Sequence, residues 1–288
     1  MSALSWERGR KDAVLWGFTF LCAVLCIPLR IYMELQCIDP FTGFYEGGTA
    51  LRWLYVLLVG AAILCLLLPK RESRRNVKPV SGRICLLPAG ILLALSAAAS
   101  AWSTLGQLLV QVWNKTGASL LIGTVVCLVA AAVSSLVFGG LFFFGRSRQN
   151  GFQPLLLLAP VLWILQLLIQ RFSQFTALSS ISDQKIFVAF LVFSCLFLLF
   201  HARAVGGVDP DRGRRWSVPL GYGVFLLGAP LAAGIAAVRF AGIGAYPTLS
   251  DVDLLLVASM ALYALVYSYT VSREQYLVEQ SGRMLHRE

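Results

Sequence analysis

The chain has 288 residues, of which 58% are hydrophobic and only 13% charged, and its mean hydropathy is +0.76. A water-soluble globule of that size needs far more polar surface, and the apolar residues fall in long runs, so composition points to a chain solvated by lipid. The formal charge of +10 does not indicate nucleic-acid binding, because the basic residues sit in short connections between apolar runs, where they orient a membrane protein instead.

A membrane-crossing helix needs roughly 20 mainly apolar residues. Eight stretches qualify, at about 13–35, 51–69, 84–109, 118–144, 154–172, 185–204, 218–240 and 252–271. The expected fold class is all-α: one transmembrane helix bundle spanning residues 1–288, with no soluble domain. With the amino terminus inside, 18 of the 24 basic residues fall on the cytoplasmic side. That bias predicts an even number of spans with both termini cytoplasmic.

The first span follows a charged start, Glu7 to Lys11. It is long for a signal core and no small-x-small site follows it, so an uncleaved anchor is expected. Its outer end leads into the most distinctive segment of the chain. Arg30 and Glu34 are spaced i, i+4 and share a helix face. Asp39-Pro40 and Thr42-Gly43 are turn chemistry. Phe41, Phe44 and Tyr45 fit an interfacial aromatic belt, and Gly47-Gly48 lets the chain reverse into the second span.

Arg30, Asp39, Pro40, Thr42, Gly43, Phe44 and Tyr45 together resemble a segment found in a loose group of multi-pass membrane proteins from Gram-positive, clostridia-like bacteria. The resemblance covers about 20 residues of 288. It implies a membrane location and a bacterial source, and it brings no activity with it.

After the second span, Lys70 to Arg83 carries six basic residues against one acid, Glu72. Anionic inner-leaflet lipids attract each such cation by about 1 kcal/mol, so lipid contact is the expected role. The third span is rich in small residues from Ala94 to Ala101 and ends with Gln107 and Gln111, again i, i+4. The fourth places Ala131, Ser135 and Gly139 four apart on one face, and the seventh carries Gly221, Gly223, Gly228 and Gly234. Lipid offers helices no hydrophobic reason to associate, so these small-residue faces are the expected interior contacts. The fifth span ends in Gln166, Gln170 and Arg171, and the seventh in Arg239. His201 falls at the cytoplasmic end of the sixth, where an interfacial position is expected. The last helix is expected to continue into the cytoplasm from Arg273.

External charges balance: six basic residues face Glu34, Asp39, Glu46, Asp183, Asp251 and Asp253. This invites pairs such as Arg30 with Asp39, while snorkelling to the headgroups accounts for most of the arginines. No Asp, Glu, Lys or Arg lies near the middle of any span, which limits ion-coupled transport.

The seven cysteines form no CxxC pair and lie mostly in apolar runs. Neither a zinc site nor a structural disulfide is expected. With two histidines and no paired carboxylates, HExxH, GxSxG or phosphate loop, no enzyme, metal or cofactor is expected.

Two functional readings follow. In the first, the bundle binds or moves a small molecule through an outer-facing polar pocket built from Arg30, Glu34, Asp39, Gln107, Gln166, Gln170, Arg171 and Arg239. In the second it is a membrane subunit, sensor or scaffold whose small-residue faces dock a membrane protein partner. The expected location is the plasma membrane.

Overall fold

The computed structural model describes residues 2–37, 47–67, 86–114, 117–143, 153–175, 182–242 and 249–284. Among them every regular element is a helix: α1 (Ser2–Gln36), α2 (Thr49–Leu67), α3 (Leu87–Trp113), α4 (Ala118–Phe143), the single turn α5 (Gln153–Leu156), α6 (Ala159–Phe175), α7 (Ser182–Gly206), α8 (Pro210–Phe240) and α9 (Asp251–Met284). Five of these, α3, α4, α7, α8 and α9, are long and apolar enough to cross a membrane, and α2 and α6 hold shorter apolar stretches, Thr49–Leu64 and Ala159–Phe172.

Local sequence explains where the helices start and stop. The fifth expected span, about 154–172, is not one helix. The Leu158 N–H closes a turn on the Leu155 carbonyl at 3.0 Å, and α6 begins one residue later. Pro160 accounts for this, because it disfavours helical backbone at the residue before it yet is tolerated in a first turn. Pro88 likewise stands in the first turn of α3. Pro28, Pro219 and Pro230 lie inside α1 and α8. The Asp209 carboxylate caps α8 by accepting the Arg212 N–H at 3.2 Å, with Pro210 as the first helical residue. Gly207 terminates α7 with φ +71°, the left-handed conformation that a helix C-terminus favours in glycine. The last helix runs on to Met284, as its polar extension suggested; its 34 residues make it about 51 Å long, well beyond the ~30 Å of a hydrocarbon core.

Helices α3, α4, α6, α7, α8 and α9 pack in that order and close into a ring, with α9 returning to α3, while α1 and α2 lie against α8 from outside. Large side chains fill the ring. Phe138 of α4 meets Tyr263 of α9 edge to face at 5.3 Å, and Trp163, Phe187, Phe190 and Phe197 are buried among them. Outside, apolar side chains such as Phe20, Leu57, Ile122 and Leu136 are exposed, as a lipid-facing surface requires.

The small-residue faces do what close packing asks. Ala97 of α3 and Ala131 of α4 are fully buried, and the Ser135 hydroxyl of α4 donates across to the Ala94 carbonyl of α3 at 2.9 Å. Gly221 and Gly213 allow α8 to touch its neighbours backbone to backbone: a Cβ on Gly221 would stand 3.0 Å from the Ala264 carbonyl oxygen, and one on Gly213 2.5 Å from the Ala204 nitrogen. Gly139 differs, since a Cβ there would meet nothing within 4 Å.

Candidate functional site

The polar residues gather at one end of the bundle, where α1, α6 and α8 end and α7 and α9 begin. Arg30 lies six residues before the end of α1 and is completely buried. Its guanidinium contacts Glu34, one turn further along the same helix, at 2.5 Å. It also donates to Asp183 in the first turn of α7, a partner 153 residues away. The Tyr55 ring of α2 lies 5.8 Å from the guanidinium carbon, within reach of a cation–π attraction.

Gly234 makes this cluster possible. A Cβ there would stand 2.9 Å from the Glu34 Cγ and 3.1 Å from the Arg30 Cγ, so the bare backbone of α8 is the floor on which both stems rest. Burial overturns the snorkelling expectation for Arg30. Its head does not reach toward headgroups, because two carboxylates inside the protein hold it. Asp39, the partner expected from the sequence, lies outside the described residues.

Two further ion pairs share this end. Arg171 of α6 pairs with the buried Asp253 of α9, and its guanidinium carbon lies 5.8 Å from the Phe187 ring, one turn beyond Asp183. Asp253 is fixed by a reciprocal cap: it accepts the Ser250 hydroxyl at 2.7 Å, and its own N–H donates to the Ser250 oxygen at 3.2 Å. Arg239 pairs with the exposed Asp251 and donates to the Leu249 carbonyl at 2.7 Å, tying the end of α8 to the start of α9. Tyr32, Trp53, Trp113, Phe172 and Phe240 are exposed around the same end, where a membrane interface collects aromatic rings.

The glutamines do not converge on Arg30. Gln107 is exposed. Gln111 accepts the Thr124 hydroxyl at 2.8 Å and ties α3 to α4. The Gln166 amide nitrogen occupies space beside Gly123 of α4, 2.7 Å from where a Cβ would stand. Gln170 is half-buried on α6. Of the residues singled out from the sequence, Arg30 and Glu34 therefore form one unit, Arg171 and Arg239 anchor separate ion pairs, and two of the four amides, Gln111 and Gln166, meet a neighbouring helix. No protein-family model, curated protein or solved structure matches the chain.

Asp183, Tyr55 and Gly234 were not foreseen as site residues. The only sequence signal for Asp183 was its presence among the external acids. Its pairing with Arg30 is set by tertiary structure alone.

A second polar cluster occupies the opposite end of the ring. His201, expected at the membrane interface, lies near the end of α7 with its side chain turned into the bundle. The residue is buried, its Nε2 shares a 2.8 Å hydrogen bond with the Tyr263 hydroxyl, and its ring lies 4.7 Å from that of Tyr267. Buried Arg214 and Ser217 of α8 belong to the same end. Among the described residues no group of three or more His, Cys, Asp or Glu is placed to hold a metal ion.

Proposed function

We propose that this is an eight-span plasma-membrane protein of bacterial origin, with both termini in the cytoplasm, that binds and moves a small polar solute through the Arg30 end of the bundle, which faces outward. The observation that carries this reading is the complete burial of Arg30 between Glu34 and Asp183. Apolar side chains of similar volume would hold three helices together at no greater cost, so a buried ion cluster in lipid is an expensive way to gain stability and is retained where charge has work to do. The charge bias of the connections supports the orientation, and the exposed aromatic rings around Arg30 support placing that end at an interface. The basic run Lys70 to Arg83 then lies against anionic lipids of the inner leaflet.

The test is thermal unfolding of the purified protein in lipid nanodiscs, with amines, amino acids, carboxylates and sugars added singly. The expected result is stabilisation by at least one class, lost in Asp183→Asn. No stabilisation by any class, or an unchanged response in the variant, refutes the reading.

The open surface at Gly139 favours a second reading, a subunit or scaffold that docks a membrane partner against α4. Gly139→Leu should then release co-purifying proteins, and retention of the same set contradicts it.

A further inference from the structure

One buried face of α7 joins the two polar ends of the bundle. Asp183, Phe187, Phe190, Ser194, Phe197 and His201 follow one another at every third or fourth position and so share a helix face. All six are buried. The stripe starts at the Arg30 partner Asp183 and ends where His201 meets the Tyr263 hydroxyl. Opposite it, α8 carries glycine where two of the rings fall. A Cβ on Gly228 would stand 2.7 Å from the Phe190 Cε2, and one on Gly221 3.0 Å from the Phe197 Cε2. Bare backbone is what lets each ring close against α8.

Ser194 stands between these two rings on the stripe. Ser268 of α9 reaches the same seam, because its hydroxyl occupies the space that a side chain on Gly221 would take. Both serines are fully buried, and neither hydroxyl has a hydrogen-bond partner among the described residues. A serine or threonine inside a helix can bond back to a carbonyl of its own preceding turn. Ser96, Thr104, Ser134 and Ser259 do so, whereas Ser194 and Ser268 do not. Buried hydroxyls are rarely left unsatisfied, least of all at membrane depth.

We infer that the α7–α8 seam is the path of an uncharged, hydroxyl-bearing solute of the polyol class. Ser194 and Ser268 complete their hydrogen bonds with it, and the Phe190 and Phe197 rings close the path on either side of Ser194. The solute is uncharged because no Asp, Glu, Lys or Arg lies near the middle of any span, and a charge held halfway across lipid needs an opposite charge beside it. This rests on the reading of the protein as one that moves a small solute, and it names the chemical class of that solute and its route.

The experiment is stopped-flow light scattering of proteoliposomes holding the full chain, challenged with erythritol, xylitol or, as a charged control, sodium gluconate. The parent should admit both polyols faster than protein-free vesicles and should not admit gluconate. Ser194→Ala and Ser268→Ala each remove one hydrogen bond to the solute, so the half-saturating erythritol concentration should rise roughly tenfold in each. Neither change should lower the Tm of the solute-free protein, because the hydroxyl removed has no partner there. Phe197→Leu, which shortens a closing ring, should speed entry. Polyol entry no faster than in protein-free vesicles, gluconate entry at the polyol rate, or unchanged half-saturation in both serine variants overturns the inference. If a charged solute class then still stabilises the protein and Asp183→Asn abolishes that response, the proposed function stands and only the uncharged route fails; if no class stabilises it, both fail.

Discussion

Replacing Arg30 by Met should be among the most damaging single changes in the chain, and two further changes should repair it. Arg30 is completely buried and its partners Glu34 and Asp183 are nearly so. Removing the guanidinium leaves two carboxylates facing each other within a dry contact between α1, α7 and α8. Breaking a buried pair in this way costs roughly 3–5 kcal/mol, because the remaining charge loses its compensation. In a chain of this length each kcal/mol moves Tm by roughly 2–4 °C, so a fall on the order of 10 °C is expected. Adding Glu34→Leu and Asp183→Leu removes the stranded charges. The triple variant should then recover most of the loss, since an apolar set of similar volume is often as stable as the ion cluster it replaces. Thermal melts in nanodiscs, followed by tryptophan fluorescence, measure both. A single variant within about 1 kcal/mol of the parent, or a triple variant worse than the single, would refute the buried cluster.

Three other outcomes can be checked with the same melts. Gly221→Ala should cost about 1–3 kcal/mol by overpacking against the Ser268 hydroxyl and the Ala264 carbonyl of α9, whereas Gly139→Ala, with open space around it, should be neutral. Tyr263→Phe leaves the buried His201 nitrogen without its 2.8 Å partner, so a loss of about 1–3 kcal/mol is expected, and adding His201→Phe should return part of it. Ser250→Ala removes the cap of α9 and should cost about 1 kcal/mol, with hydrogen exchange rising first at the amides of residues 251–253.

How much of this was legible in the sequence depends on the range of the interaction. Lipid forces long apolar runs, and α3, α4, α7, α8 and α9 could be read directly from them. Small residues in lipid have little use except close approach, so the burial of Ala97 and Ala131 and the glycine face of α8 were foreseeable. The Arg30–Glu34 pair was visible because i, i+4 spacing is local. Its completion by Asp183 was not, since nothing in the sequence connects positions 153 residues apart. The snorkelling expectation failed for the same reason: whether an arginine near a helix end turns outward or inward depends on which helix packs beside it. For His201 too, position along the helix was legible while the direction of its face was not. The break before α6 had a signal in Pro160, which reads equally as a kink or as a start until the preceding turn is seen.

Most directly at stake is the transverse arrangement of the chain: Arg30 and the ends of α1, α6 and α8 on the outer face, with the connection from Lys70 to Arg83 inside. Paired reporters, one active only outside the cytoplasm and one only within it, fused after Tyr45 and after Arg83, measure this. The Tyr45 fusion should light the external reporter and the Arg83 fusion the internal one. An exported Arg83 fusion would contradict the orientation and, with it, the assignment of the Arg30 cluster to the outer face.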